Sequence, residues 1–338
     1  MDNALLKHPF WQQSDPVAAR LIRTFDVPGE YNPFVQDGVD LRVAAGFGEA
    51  PFHKWAMARE GILEGVRSGR ITLGTSIVEA TSGNTGLAMA AVCTALGLRF
   101  VAIVNKDVPG SKVDVIRALG EHVSVQAPLP GETTVDAARR LGSQPGWHNP
   151  DQYAGEWNPR AHEKYLAPQI FAQTEASVFV APGGTMGTVL GVDRYARAHG
   201  IRTKVIPVMC EEGQEVPAAR TLSRVRRDVR IPWDKELAEG DIRFGSRRES
   251  FAMSFFSWRF LPVQMGPSSG LALAGTLTFL RERKIAGTLD PLREPNGKIS
   301  VVVFAPDDYR PYADLYLGEN LYDREYLGDT IPNLLDWK

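Results

Sequence analysis

The stretch ITLGTSIVEATSGNTGLAMAAVCTALGLRFVAIVN, residues 71–105, decides the type of fold. Its first part predicts a strand that ends in the polar loop EATSGNTG, residues 79–86. The Ala-rich segment that follows predicts a helix ending at Gly97, because glycine commonly terminates helices. RFVAIVN then predicts a buried strand. A strand, a helix and a strand in succession indicate an α/β fold with parallel strands.

The same alternation continues on both sides of a loop-rich segment, GWHNPDQYAGEWNP, at residues 146–159. The predicted elements are the helix SKVDVIRALG, the strand HVSVQ, the helix AHEKYLAPQIFAQT, the strand SVFVAP, the helix TVLGVDRYARAHG and the strand KVIPVMC. We therefore predict two doubly wound α/β lobes, residues 1–158 and residues 159–338, the second ending in a C-terminal arm. Residues of about 10–45 could cross to the second lobe.

Composition and charge exclude several classes of function. The 338 residues carry a formal net charge of −2, which offers no basic surface for nucleic acid or an anionic membrane. The N-terminus lacks a signal-peptide pattern, and no stretch approaches about 18 uninterrupted apolar residues, so we expect a cytoplasmic protein. The histidines and cysteines show no HxxxH or CxxC spacing, and we therefore predict no metal site.

The loop at residues 79–86 has the composition of a carboxylate site. Gly83 and Gly86 let the backbone approach a ligand, while Thr81, Ser82 and Thr85 supply hydroxyl groups at a helix N-terminus. A plain Ser/Thr cap with a turn glycine would explain one or two of these residues, but not the whole set. The loop therefore favours binding of a small carboxylate.

A second loop, APGGTMGT at residues 181–188, lies between a predicted strand and a predicted helix. Its glycines and threonines form a possible cradle of amides and hydroxyls for a phosphate; these residues are Gly183, Gly184, Thr185, Gly187 and Thr188. Neither Walker spacing nor GxGxxG is present, which argues against a nucleotide site and a NAD-dependent oxidoreductase.

These two loops together resemble the cysteine synthase and cystathionine β-synthase family, pyridoxal-phosphate (PLP) enzymes of fold type II. The matching segments follow one another in the family's order: PFHKWAMAR, TSGNTG, SKVDVIRALG, APGGTMGT, MGPSSGLALAG and PDDYRPY. The resemblance implies a tryptophan synthase β-like fold in which the cofactor, pyridoxal 5'-phosphate, lies in the cleft between the lobes. It also implies a homodimer.

The resemblance assigns the Schiff-base lysine to Lys54, about 30 residues before Asn84, with Lys112 as the fallback. Such a lysine holds the cofactor aldehyde as an imine and later takes the substrate's α-proton. Asn84 would lie beside the cofactor's 3-oxygen. The substrate carboxylate would be bound by Thr81, Ser82, Gly83 and Thr85, and the phosphate by the five glycines and threonines of residues 183–188 named above.

The chain departs from the family around these residues. Pro51-Phe52-His53 precedes Lys54, where the family has a run of small residues. Ala181-Pro182 stands where the family commonly has Gly-Thr, and Pro182 has no amide hydrogen to donate. The shape around the lysine and the grip on the phosphate are therefore expected to differ from the family's.

Asp308 stands where the family has a serine that contacts the pyridine nitrogen. A carboxylate at this place would keep the nitrogen protonated and stabilise a longer-lived quinonoid. The alternative is that Asp308 caps a turn after Pro306, with Asp307 or a water at the ring.

We expect β-replacement or β-elimination on serine, cysteine or an O-activated serine, through an aminoacrylate and with a small nucleophile. The alternative interpretation is α-carbanion chemistry, such as racemisation, aldol-type cleavage or γ-substitution, enabled by Asp308. A non-catalytic binding protein on the same fold is a third interpretation, against which the presence of Lys54, Asn84 and the glycine loop weighs.

An arginine cluster occupies the segment that departs most from the family, with Arg220, Arg224, Arg226, Arg227 and Arg230. It could bind a second anionic group or an acidic co-substrate. A solvated helix face or a subunit contact is the favoured interpretation.

Overall fold

The computed structural model describes residues 3–13, 15, 22–46, 52–81, 83–106, 108, 110–318 and 330–335. Ten strands lie within this part of the chain: β1 (Arg23–Asp26), β2 (Val39–Ala45), β3 (Ser76–Ala80), β4 (Phe100–Ile103), β5 (Val123–Gln126), β6 (Trp147–His148), β7 (Val178–Pro182), β8 (Lys204–Cys210), β9 (Arg243–Gly245) and β10 (Ile299–Ala305).

The α-helices of the same residues are α1 (Phe10–Gln13), α2 (Phe52–Arg67), α3 (Asn84–Ala95), α4 (Gly110–Arg117), α5 (Thr134–Gly142), α6 (Trp157–Ala161), α7 (Ala167–Phe171), α8 (Gly187–Ala198), α9 (Leu222–Asp228), α10 (Trp233–Glu236), α11 (Arg247–Phe260), α12 (Pro267–Ile285), α13 (Ala313–Gly318) and α14 (Thr330–Leu335). No helix among the residues described is long and apolar enough to cross a membrane.

Two sheets organise the molecule. The smaller sheet has the order β5-β4-β3-β6 and is parallel throughout. The larger sheet has the order β1-β2-β10-β7-β8-β9, and only the pairing of β1 with β2 is antiparallel. Every residue of the central strand β10 is buried, as expected for a parallel strand covered on both faces. The predicted α/β class with parallel strands is thus confirmed.

The larger sheet combines both ends of the chain. β1 and β2, residues 23–45, lie at one edge of this sheet, and β2 pairs with β10, which comes much later in the sequence. The crossing of residues of about 10–45 from one lobe to the other stays a prediction. The boundary between residues 158 and 159 stays a prediction.

The predicted helix over residues 161–174 is broken in the structure. α6 gives way to a π-helical turn at His162–Leu166, and α7 then begins with Pro168 in its first turn. Proline has no amide hydrogen and clashes with the preceding turn of a continuous α-helix. A local widening of the helix before the proline accommodates this mismatch.

The sheets place two helix N-termini at one cleft. β3 ends at Ala80 and leads through the TSGNTG loop into α3, while β7 ends at Pro182 and leads into α8. In parallel α/β sheets, ligands bind at the carboxyl ends of strands, where such loops meet. The fold therefore brings the two loops singled out by sequence to the same opening.

Close packing of α11 against α12 supports the larger sheet. α11 begins with a capping box formed by Ser246 and Glu249, and α12 begins with Pro267. A Cβ atom on Gly270 of α12 would lie 2.1 Å from the backbone oxygen of Ser250 in α11. The two helices touch through backbone at this point, so no side chain larger than glycine fits.

We predict that Gly270→Ala lowers the free energy of unfolding by about 1–3 kcal/mol, because the added methyl group must push the two helices apart. Urea unfolding of the wild type and the variant measures the change. Gly110→Ala in α4 is the control, since a Cβ there meets nothing within 4 Å. Equal stability of the two variants would contradict the packing argument.

Candidate active site

A cavity of about 630 Å³ opens where the two loops meet. Eight of the residues predicted from sequence line it: Lys54, Thr81, Gly83, Asn84, Thr85, Gly184, Thr185 and Thr188. Gly183, Gly187 and Asp308 do not line it, and Ser82 lies outside the described residues. Residues that are up to 134 positions apart in sequence thus line one cavity.

Lys54 lies in the first turn of α2 with its amine in the cavity. Burial lowers the pKa of this amine from its ordinary 10.5 to about 8, against an opposing attraction from the Glu79 carboxylate. The Nζ atom is 3.8 Å from the Met57 sulfur, a weak acceptor. Near physiological pH, the Lys54 amine is therefore neutral in a larger fraction of molecules than the amine of a surface lysine.

Two buried histidines lie beside this lysine. The rings of His53 and His162 are 6.0 Å apart, and His53 meets the edge of Phe304 at 5.3 Å. Burial, followed by the positive charge of Lys54, holds the pKa of both histidines well below the ordinary value. Both imidazoles are therefore neutral and add no positive charge around the amine. By sequence, His53 stands out only as a departure from the family.

The buried Glu79 side chain holds the first loop in place. Glu79 is fully buried and accepts hydrogen bonds from the amides of Ala80 (3.0 Å) and Gln152 (3.2 Å). Burial, and then the charge of Asp151, raises the pKa of Glu79 well above its ordinary value. Gln152 donates its side-chain amide to the Ala80 carbonyl at 2.6 Å and accepts the Thr85 hydroxyl at 3.0 Å. This network fixes the loop against the segment at residues 146–159.

The first loop keeps donors available for a carboxylate. The Thr81 oxygen accepts the amides of Gly83 (3.3 Å) and Gly86 (2.7 Å), so its hydroxyl hydrogen is left to donate elsewhere. The amides of Asn84 and Thr85 begin α3, where the first N–H groups have no partner inside the helix. A carboxylate is favoured at this end of the helix dipole.

The second loop is shaped as a close cradle. A Cβ on Gly187 would lie 2.1 Å from the side-chain oxygen of Asn158, and one on Gly184 would lie 3.0 Å from the Ala218 carbonyl. Met186 has a φ of 65°, in the left-handed region that non-glycine residues rarely adopt. The backbone therefore turns sharply between Gly184 and the start of α8.

The hydroxyl groups of this loop are oriented by neighbours. Asn158 donates to the Thr185 oxygen at 2.9 Å, which leaves the Thr185 hydrogen for a ligand in the cavity. Thr188 lies 3.4 Å from the ring nitrogen of His162. The Gly183 amide, in contrast, donates to the Val208 carbonyl at 2.6 Å. Gly183 consequently gives the loop room rather than a donor, while Thr185, Thr188 and the amides at the N-terminus of α8 fit a phosphate.

The two aspartates after β10 have different surroundings. Asp307 is buried and accepts the amides of Ser269 (3.0 Å) and Ser268 (3.3 Å) at the start of α12. Burial raises its pKa against the hydrogen bonds from these serines. Asp308 pairs with Arg310 at 2.5 Å. Ser268 lines the cavity, whereas the side chain assigned to the pyridine nitrogen faces its arginine partner.

Three of the five clustered arginines also reach the cavity. Arg220, Arg224 and Arg227 line its mouth, whereas Arg226 and Arg230 do not. Gln152 and Asn158 were missed by sequence reasoning, because they belong to a segment interpreted only as a hinge. Gln152 precedes α6 and Asn158 lies in its first turn, and their hydrogen bonds to the two loops are a tertiary relation that no local sequence pattern reports.

Comparison with known proteins identifies a family and several relatives. The sequence profile of the family described as "Pyridoxal-phosphate dependent enzyme" matches residues 53–291. Cysteine synthase B of Pseudomonas aeruginosa is 30% identical over 228 residues, which cover 63% of this chain and 72% of that protein. Cystathionine beta-synthase of Mus musculus is 31% identical over 274 residues, which cover 75% of this chain but 46% of that longer protein.

Solved structures show the same fold. Cysteine synthase of Entamoeba histolytica superposes with a TM-score of 0.70 over 94% of this chain and 93% of that one, at 19% identity. The O-acetylserine dependent cystathionine beta-synthase of Helicobacter pylori gives a TM-score of 0.68 over 89% and 95%, at 25% identity. The predicted fold type II architecture and the pyridoxal 5'-phosphate cofactor are thus confirmed. The chain belongs to the family of pyridoxal-phosphate dependent enzymes.

Proposed function

We propose that this enzyme catalyses β-replacement or β-elimination on serine, cysteine or an O-activated serine, with a small nucleophile in the replacement reaction. One observation supports this most directly: Lys54, the loop before α3 and the loop before α8 line a single cavity. A covalent anchor, a carboxylate site and a phosphate site are the three elements that such a reaction needs.

Different residues of the cavity have different roles in the proposed reaction. Bound pyridoxal 5'-phosphate supplies an electron sink for negative charge at the substrate's α-carbon. Lys54 Nζ would hold the cofactor and would take the substrate's α-proton, for which a pKa of about 8 is well matched. Thr185, Thr188 and the first amides of α8 would hold the phosphate.

The substrate's own carboxylate would be bound at the start of α3. Thr81 offers its hydroxyl hydrogen, and the amides of Asn84 and Thr85 add donors at the positive end of the helix. Glu79 and Gln152 hold this loop from the buried side. The α-carbon is thereby oriented toward the lysine by a rigid part of the backbone.

The second candidate, α-carbanion chemistry such as racemisation, depends on a contact between Asp308 and the pyridine nitrogen. That contact stays a prediction, and the ion pair of Asp308 with Arg310 does not favour it. Cytoplasmic location and a homodimer also stay predictions, made from the N-terminal sequence and from the family resemblance.

We predict that Lys54→Ala removes the visible absorption band of the lysine-bound cofactor and the turnover of O-acetylserine with sulfide. Lys112→Ala, the matched control, keeps both. Absorption spectra before and after borohydride, with a product assay, provide the measurement. A Lys54→Ala protein that keeps a band removable by borohydride would place the anchor elsewhere.

The lowered pKa of Lys54 predicts a pH dependence. Only the neutral amine reacts with the cofactor, so uptake of added pyridoxal phosphate by the cofactor-free protein should rise with pH. Half of the maximal rate is expected near pH 8 and a plateau above it, because the Lys54 pKa is about 8 rather than 10.5. Stopped-flow absorbance at several pH values tests this. A rate that still climbs steeply above pH 9.5 would mean that the amine is not buried as described.

Ser268 and Asp308 have different surroundings, and we predict that replacing them changes the cofactor's absorption band to different extents. Ser268 lines the cavity, whereas Asp308 is engaged by Arg310, so Ser268→Ala should shift the cofactor's absorption band more than Asp308→Ser. Spectra of both loaded variants across pH 6–9 measure the shifts. A larger shift from Asp308→Ser would instead support the contact with the pyridine nitrogen, and with it the second candidate function.

A further inference from the structure

We propose that His53 donates a hydrogen bond to the phosphate of the cofactor, so that the residue next to the proposed lysine anchor belongs to the phosphate site. This role depends on the proposed position of the phosphate at the loop before α8, and not on the reaction proposed above. His53 lies outside both loops that the sequence singles out, at a place where the family has small residues.

The phosphate loop has fewer backbone donors than its glycine-rich sequence indicates. Pro182 has no amide hydrogen, and the Gly183 amide donates to the Val208 carbonyl at 2.6 Å. The donors that remain in the loop begin at Gly184. A phosphate group has three strong acceptor oxygens, so a donor from outside the loop would add to the site.

His53 has the location and the hydrogen-bonding capacity that such a donor needs. The residue is only 5% exposed, yet it lines the cavity together with Lys54 and Thr188. None of the described residues exchanges a hydrogen bond with either nitrogen of its ring. A neutral imidazole carries one N–H donor, and burial of such a group without a partner costs free energy. A ligand in the cavity would supply the missing partner.

A series of contacts leads from His53 to the phosphate loop. The rings of His53 and His162 are 6.0 Å apart, and Nε2 of His162 lies 3.4 Å from the Thr188 hydroxyl oxygen. A Cβ on Gly191, one turn after Thr188 in α8, would lie 2.6 Å from the Cβ of His162. α8 therefore packs closely against the π-helical turn that begins at His162. His53 accordingly lies on the side of the cavity where α8 begins.

The His53 ring is held in place by its neighbours. Phe304, near the end of β10, meets it edge to face at 5.3 Å, and Phe304 in turn stacks on Phe179 at 6.3 Å. His162 lies on another side of the ring. A donor fixed in this way loses little conformational entropy when a ligand binds.

The chemical structure of the cofactor agrees with this placement. The aldehyde carbon and the carbon that carries the phosphate ester are attached to neighbouring atoms of the pyridine ring. Groups that hold the two must therefore lie close together in the protein. Lys54 and His53 are consecutive residues in the first turn of α2, and both line the cavity.

A hydrogen bond between His53 and the Lys54 amine is the alternative, and the contacts do not favour it. Nζ of Lys54 makes a weak contact with the Met57 sulfur at 3.8 Å, and no hydrogen bond joins it to His53. Burial, followed by the charge of Lys54, also lowers the pKa of His53, which makes the imidazole a poor acceptor for a proton from that amine. A role as donor to an anion is better supported.

The test compares pyridoxal 5'-phosphate with pyridoxal, which lacks the phosphate, in binding to the cofactor-free protein. The absorbance of the lysine-bound form gives both affinities. We expect His53→Phe to lower the wild-type preference for the phosphorylated compound about tenfold or more, because a hydrogen bond to a charged group is lost. Affinity for pyridoxal should change little. Pyridoxal also forms a hemiacetal in solution, but this cancels between wild type and variants.

Three further variants make the result specific to the donor. His53→Leu also lacks an N–H group and tests the proposal if His53→Phe fails to fold. His53→Gln keeps an N–H donor and should retain part of the preference. His148→Phe is the matched control, because His148 is a partly buried histidine that does not line the cavity, and it should keep the full preference.

The phosphorus NMR resonance of the bound cofactor provides a measurement that is independent of affinity and of activity. Loss of the hydrogen bond should move this resonance in His53→Phe and His53→Leu, but not in His148→Phe. An unchanged resonance in both donor-free variants would overturn the role proposed for His53, as would an unchanged preference in both.

Thr185→Val separates this role from the proposed phosphate site. Thr185 belongs to the loop before α8, so removal of its hydroxyl should also lower the preference for the phosphorylated compound. A preference lost in Thr185→Val but kept in both donor-free variants of His53 would overturn the role of His53 alone. A preference kept in all of these variants would overturn the proposed phosphate site as well.

Discussion

The burial of one lysine amine is the constraint on which the rest of the site depends. Lys54 lines the cavity, where burial disfavours the charged form of its amine, and its pKa accordingly falls to about 8. The side chains around the amine must not add further positive charge. His53 and His162 meet this need because burial keeps both neutral, and the Glu79 carboxylate nearby has a raised pKa of its own.

In the proposed site, backbone amides would do most of the anion binding around this amine. α3 and α8 both begin at the cleft, and the first amides of each helix have no partner inside the helix. Side chains then orient the loops that precede these helices. Asn158 donates to Thr185, and Gln152 accepts the Thr85 hydroxyl, so that each loop is oriented by a residue from the segment at residues 146–159. The anion sites are therefore rigid in the absence of ligands.

The sequence by itself determined the class of fold and the positions of the two loops that follow strands β3 and β7. A β-rich run, a glycine-rich polar loop and an Ala-rich helix are local patterns, and they locate both loops to within a few residues. Lys54 could be proposed as the cofactor's lysine only through the ordered family motifs, because a single lysine carries no local signal. The loops are readable because backbone geometry and helix dipoles are set by neighbouring residues.

Tertiary structure alone decided which polar groups remain free to bind a ligand. The sequence pattern makes Gly183 a phosphate donor, yet its amide is taken by Val208 of the adjacent strand. Asp308 pairs with Arg310, and among five clustered arginines only Arg220, Arg224 and Arg227 face the cavity. These outcomes depend mostly on partners distant in sequence, and a hydrogen-bonding group already satisfied within the fold cannot serve a ligand as well.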